Sequence, residues 1–355
     1  MHILNSYIRY FVISATILVI FVLVGVESLM EFIGQLSDIG VVNYSLWKAL
    51  VFVFTQLPSD IYQLFPMAGF LGCLIGLGRL ATTSELIVMR SAGVSIAGVT
   101  GSVVKAAIVM MILVTLIGEF LAPSLEMAGD MMKAKALSHA VGFKAIGGVW
   151  LRDASSFVHI GSVDSNRSVS NVSRFAFNEN HQLLSSGFAK KAVFDNGKWV
   201  MLDVQQSNLS STQITKTIIP TLGLPIVFNP RWLEEGSKRM DQQSIVGLYH
   251  FIRYRSHAKL EISRYEFAFW QRLMQPLTTV VMICLGVPFI FGSLRTASMG
   301  LRTLTGVIIG FAFYMLNQFF GPFTMVYQIP PILAAVMPTL LFAMGCGVLL
   351  YRARL

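Results

Sequence analysis

Residues that could do chemistry are few in this chain, and their spacing does not assemble a reaction centre. There is no Walker A sequence, no His-Glu-x-x-His, no paired-cysteine metal pattern and no Gly-x-Ser-x-Gly. The six histidines are scattered without metal-ligand spacing. Cys73, Cys284 and Cys346 all fall inside apolar runs and read as small packing residues; an odd count argues against a disulfide framework. The acids are more informative. Glu27 and Glu31 lie one helical turn apart on one face, with Asp38 close behind, and together they are the raw material for a metal or acid/base group. Asp60 lies deep in the next apolar run, roughly 18 Å along a helix. A carboxylate there must face protein or a water-filled cavity, and a substrate cavity and a structural polar pair both satisfy that demand. No catalytic residue and no metal ligand can be named. Any work done against a gradient must draw its energy from a partner.

The elements that hold these residues are membrane helices. Six apolar runs, three on each side of one polar insert, span about Phe11–Leu36, Leu46–Gly78, Gly98–Leu121, Leu273–Phe291, Thr303–Phe320 and Ile332–Tyr351. Each reaches the ~20 residues that cross a ~30 Å hydrocarbon layer as a helix. Of 355 residues, 54% are hydrophobic and 13% charged, about half the charged share of a soluble domain. The chain divides into residues 1–132 with three membrane helices, 133–265 as an inserted domain with a flanking helical linker, and 266–355 with three more helices. The first run is too long for a signal-peptide core and no small-residue cleavage pattern follows it, so it is expected to remain as a helix.

Charge placement predicts orientation. Arg9, Arg79, Arg90, Arg295, Arg302, Arg352 and Arg354 surround one acid, Glu85, in the loops and termini on one side. The short loops on the other side hold only Lys48. The positive-inside rule puts both termini in the cytoplasm and the insert outside it, which excludes nucleic acid as a partner. The insert is itself basic, which suits a solvated surface beside an anionic membrane or an anionic, lipid-linked substrate.

Within the insert, short strand candidates alternate with turns: Trp150–Leu151, Phe157–Ile160, Val172–Phe177, Ala192–Phe194, Trp199–Leu202, Ile214–Ile219 and Pro225–Phe228. Asn196-Gly197 is a strong hairpin signal. The expected domain is an all-β antiparallel sandwich or jelly roll. Gly72 and Gly76 have the small-xxx-small spacing that lets helices approach closely. Between the second and third runs, residues 81–92 read as a short amphipathic helix, capped by Thr82 or Thr83, with Glu85 in its first turn and Gly93 at its end. Such a helix suits a groove in a cytoplasmic ATPase, with Glu85 as an acidic contact; an interfacial helix lying on the inner leaflet is the other use of the pattern.

Several ordered motifs together resemble one family. They are Leu64-Phe65-Pro66-Met67 with the glycine-rich helix after it, Ser84-Glu85-Leu86 with Met89 and Ser91-Ala92-Gly93, and Ile117-Gly118-Glu119 with Ala122-Pro123. Phe289-Ile290-Phe291-Gly292, Phe320-Gly321-Pro322 and Ile329-Pro330-Pro331 complete the set. Spread over both membrane halves, they resemble the LptF/LptG permeases of lipopolysaccharide export, LptG more than LptF. The resemblance implies an inner-membrane heterodimer with an LptF-like subunit and two copies of a cytoplasmic LptB-like ABC ATPase. ATP and Mg²⁺ would be used by that ATPase, with no cofactor bound by this chain. It also implies a periplasmic jelly roll, a bitopic LptC-like subunit and a periplasmic bridge protein that receives lipopolysaccharide from the outer leaflet. The first and fifth membrane helices would form a lateral gate with the partner subunit. The ATPase-coupling residues implied are Ser84, Glu85, Leu86, Met89 and Arg90.

Relatives often carry lysines at the outer end of the first helix, where this chain has Glu27, Glu31 and Asp38. Carboxylates there repel phosphates unless protonated, paired or bridged by a divalent cation, as Glu31 or Asp38 could be. The expected phosphate contacts are therefore Lys48, Lys133, Lys135, Arg264 and Arg272. Phe65, Met67, Phe70, Phe311, Phe313 and Phe319 are candidates to line an acyl-chain cavity, and Phe157, Phe175 and Phe177 an apolar inner face of the inserted domain. A membrane-bound periplasmic lipid-modifying enzyme built on the Glu27, Glu31 and Asp38 cluster is the alternative.

Overall fold

The computed structural model describes residues 2–137, 149–153, 156–165, 168–178, 182–195, 198–209, 213–224, 243–257, 262–291 and 298–354. Among these, six helices are long and apolar enough to cross a membrane. The first is α1 (His2–Gln35) and the second α2 (Leu46–Thr82). A short helix, α3 (Glu85–Ser91), precedes the third, which runs as α4 (Ile96–Leu116), a π-helical turn (Ile117–Leu121) and α5 (Ala122–Leu137). After the β domain come α6 (Ile245–His257) and three more spans, α7 (Ser263–Phe291), α8 (Met299–Tyr327) and α9 (Pro331–Arg354).

Helix α2 is the central post. Of its most apolar stretch 78% is buried, against 22% for α1 and α8, whose outer faces are left for lipid or another subunit. The glycines explain how α2 fits. A side chain at Gly72 would run into the Thr16 backbone of α1, and one at Gly76 would stand 2.7 Å from the Phe11 carbonyl. The small-xxx-small spacing therefore packs α2 on α1 within one chain. Prolines explain the crossing of α2 with α7. Pro66 has no N–H for the Tyr62 carbonyl, and Gln275 of α7 donates to it at 3.1 Å. Pro276 likewise frees the Arg272 carbonyl, toward which the Tyr62 hydroxyl donates at 3.5 Å. Each helix satisfies the carbonyl that the other's proline leaves open.

The β domain is one antiparallel sheet of six strands, each paired with the next in sequence. They are β1 (Val149–Asp153), β2 (Ser156–Ser165), β3 (Ser168–Phe177), β4 (Leu183–Asp195), β5 (Lys198–Leu209) and β6 (Ile214–Gly223). The connections are those of a meander. The hairpin read at Asn196-Gly197 is flanked by the pair Asp195 and Lys198, while its two turn residues and the strand candidate Pro225–Phe228 lie outside the described residues. One face carries the buried cluster: Ile160 opposite Val172 and then Ala189, with Val169, Ala192 and Met201 in the next row.

Candidate functional site

Two regions at opposite ends of the bundle concentrate the functional candidates. At the end away from the β domain, α2 continues to Thr82 and the chain turns at Ser84, whose φ of 62° is left-handed. The short helix starts at Glu85, later than residue 81, because Thr82 belongs to the last turn of α2, its hydroxyl donating to the Gly78 carbonyl. Thr83 does not cap the backbone of α3. Its hydroxyl instead donates to Glu85 Oε1 at 2.7 Å. Gly93, at φ 89°, ends the segment as expected.

Leu86 and Met89 are buried in the bundle core, which corrects their assignment as partner contacts. One turn apart, they anchor α3 to the membrane helices. The outward face presents Ile87, Val88 and Arg90, with Ser84 exposed and Glu85 half-buried beside them. Ile87 and Val88 were not singled out in the sequence, although the spacing of Leu86 and Met89 implies that face. A recess of about 610 Å³ lies against Leu86, Ile87 and Arg90, with Ile290 and Phe291 of α7 across it.

Arg302 was read only as part of a basic flank. The structure buries it: Nη1 donates to the Gly78 carbonyl at 2.7 Å and to Thr82 Oγ1 at 3.2 Å. It therefore joins the start of α8 to the last turn of α2, one turn before α3 begins.

At the β-domain end, a cavity of about 610 Å³ opens between α2, α7 and α8. Its polar lining comes from Ser59, Gln63, Gln271, Gln275, Asn317 and Gln318, its cationic groups are Arg264 and Arg272, and its apolar wall includes Met67, Phe267 and Phe313. Two of the five predicted phosphate contacts thus meet in one place. Lys133 does not join them. Its Nζ donates to Gln35 Oε1 at 2.6 Å, pairs with Asp38 at 2.8 Å, and sits over the Tyr44 and Phe52 rings. It clamps α5 to the end of α1 and occupies Asp38. Lys48 donates to the Asn43 carbonyl, and Lys135 is exposed on α5. Burial, then the Asp38 and Glu31 carboxylates, hold the Tyr44 phenol above its ordinary range, so it remains a neutral donor to Gln35.

Other candidates are redistributed. Phe65 and Phe70 are core residues, and Phe311 and Phe319 point away from the bundle, so of the expected aromatic lining Phe313 alone faces the cavity. Asp60 lies outside the lining, toward Glu27 of α1, with its buried Oδ2 lacking a hydrogen-bond partner among the described residues. Glu31 is half-buried on α1. Among the described residues no three of His, Cys, Asp and Glu converge on a point that could hold a metal.

In the β domain, Phe157 and Phe175 are direct cross-strand partners on the face opposite Val158, Ile160 and Val172. Phe157 packs edge-on against Phe177, and Trp150 stacks on Phe175 at 5.9 Å. These rings form a strip outside the packed core, not the inner face expected of them.

The helices, the cavity and the inserted sheet together have the architecture of a polytopic membrane permease. Comparison with known proteins gives the family. Residues 6–352 match the profile of the lipopolysaccharide export system permeases LptF/LptG. The chain is 34% identical over 353 residues to the lipopolysaccharide export system permease protein LptG of Haemophilus influenzae, covering 99% of each. It is 35% identical over 343 residues to LptG of Escherichia coli K12, covering 96% of this chain and 95% of that protein. The chain belongs to the LptF/LptG permease family and is a multi-pass membrane protein.

Proposed function

We propose that this chain is the LptG-type permease subunit of an ABC transporter. It extracts lipopolysaccharide from the outer leaflet of the inner membrane and passes it to a periplasmic bridge. The observation that carries this reading is the polarity of the bundle. One end bears a short helix rooted in the core by Leu86 and Met89, with an apolar and charged face left open. The other end, where the chain leaves for and returns from the β domain, bears a cavity with two arginines and an apolar wall. Both termini and α3 face the cytoplasm, where the arginine-rich loops belong, and the β domain is periplasmic. An LptF-like subunit covers the exposed faces of α1 and α8, which are the gate helices. Two LptB-like ATPases seat α3 through Glu85, Ile87, Val88 and Arg90. An LptC-like subunit and the bridge protein complete the route.

ATP-driven closure of the ATPases displaces α3, narrows the cavity and raises the lipid, whose phosphates are held by Arg264 and Arg272. Its acyl chains move to the aromatic strip around Trp150, Phe157, Phe175 and Phe177. A bistable helix arrangement is required, and nucleotide shifts its populations. The test is Glu85→Ala in the reconstituted complex, read by ATPase co-purification and by lipopolysaccharide released per ATP hydrolysed. The expected result is weakened ATPase association or a fall in that ratio. Unaltered assembly and release would remove α3 from the coupling role.

A further inference from the structure

One carboxylate joins the three elements through which the β domain is attached and the cavity is walled. Glu119 lies in the π-helical turn Ile117–Leu121 of the third span, where the Ala122 N–H bonds back five residues to Ile117, and Pro123, with no N–H, follows at once. Counted from Ile96, it lies about 35 Å along the helix axis, past a hydrocarbon layer of ~30 Å. Its two oxygens accept from the Ile245 N–H at 2.9 and 3.1 Å. Ile245 is the first residue of α6, the helix that leads from the β domain back to the membrane. The first turn of a helix leaves N–H groups without internal partners. Here Ser244 takes one from Gly247 locally, and Glu119, 126 residues away, takes another. Oε2 also faces Arg272 of α7 at 3.9 Å, and Arg272 lines the cavity. The Tyr62 ring closes the group: the Arg272 guanidinium lies 5.8 Å from its centre, and a side chain at Gly118 would collide with it.

From these contacts we infer that Glu119 is a positioning residue for the transfer step: it fixes the start of α6, where the chain returns from the β domain, against the third span and the cavity-lining α7. The inference rests on the proposed function and adds to it the side chain that keeps the two halves of the lipid's path in line. A cap of this kind is a directional bond from a charged acceptor, so the orientation of α6 is set by the third span and not by the chain connection alone. Arg272 ties the same carboxylate to the cavity wall.

The experiment compares Glu119→Ala and Glu119→Gln with wild type in the full complex, reconstituted with purified lipopolysaccharide and ATP. Glutamine retains an acceptor for the Ile245 N–H; alanine does not. Hydrogen exchange of the amides of Ile245 and Val246 reads the cap directly. Loss of a charge-assisted bond is expected to speed it by about tenfold or more in the alanine variant and by less in the glutamine variant. Photo-crosslinkers at Gln271 in the cavity and at Trp150 on the strip read the lipid's path. The expected result is cavity adducts and ATPase rate within about twofold of wild type, with strip adducts reduced about tenfold in alanine and largely restored in glutamine. Unchanged exchange and strip adducts in the alanine variant overturn the inference. Cavity and strip adducts falling together also overturn it, since Glu119 would then serve the bundle's own folding. A wild-type complex that yields neither adduct sinks the proposed function instead, and the exchange comparison still decides whether Glu119 holds α6.

Discussion

Replacing Arg302 by methionine tests how motion at α3 reaches the rest of the bundle. The side chain is 4% exposed and spans from the first turn of α8 to the last turn of α2. Methionine fills similar space without donors. The Gly78 carbonyl keeps the Thr82 hydroxyl as a donor, at 2.9 Å, so the substitution leaves no orphaned acceptor there. The cost is then the lost charged donor, at the low end of the usual range, about 1.5 kcal/mol. If that energy links α8 to the end of α2, its removal lowers the coupled population by about tenfold. The assay is lipopolysaccharide released per ATP hydrolysed by the complex in proteoliposomes. The ratio should fall about tenfold in Arg302→Met while hydrolysis continues, and Arg302→Lys should recover part of it through one remaining donor to Gly78. An unchanged ratio in the methionine variant, or equal losses in both variants, refutes the link.

Three further outcomes follow from the packing. Gly72→Leu drives a side chain into the Thr16 backbone and should separate α1 from α2, costing about 3 kcal/mol or more; recovery of folded protein in detergent measures it. Gln275→Leu removes the donor to the carbonyl freed by Pro66, and a buried unmade bond of about 1–3 kcal/mol should appear as a lower thermal midpoint. Lys133→Met breaks a pair that is partly exposed, so its stability cost should stay near ~0.5–1 kcal/mol, and cavity photo-crosslinking to lipopolysaccharide should be unaffected, unlike in Arg264→Met.

The six spans and the strand-rich insert were legible because both signals are local: long apolar runs, and short apolar stretches broken by turn residues. What escaped was non-local or symmetric. Phe157, Phe175 and Phe177 alternate with Val158, Ile160 and Val172, so both faces of those strands are apolar, and a period of two cannot say which turns inward. Lys133 has the charge of a phosphate ligand, but Gln35 and Asp38 reach it from nearly a hundred residues away. Arg302 sits in a flank whose arginines are explained by membrane orientation, which hid its buried contact with Gly78. The crossed bonds at Pro66 and Pro276 require knowing that α2 faces α7. Leu86 and Met89 differ: their spacing already placed both on one face of α3, and the face was assigned to a partner when the core had claimed it.

The central claim is that the cavity between α2, α7 and α8 receives lipopolysaccharide and is emptied by ATP. A photo-crosslinker at Gln271, compared with one at outward-facing Phe311, tests it in membranes that contain the assembled complex. The account predicts lipopolysaccharide adducts at Gln271 that decline when ATP is hydrolysed. Adducts at Phe311 with none at Gln271, or Gln271 adducts indifferent to ATP, would contradict it.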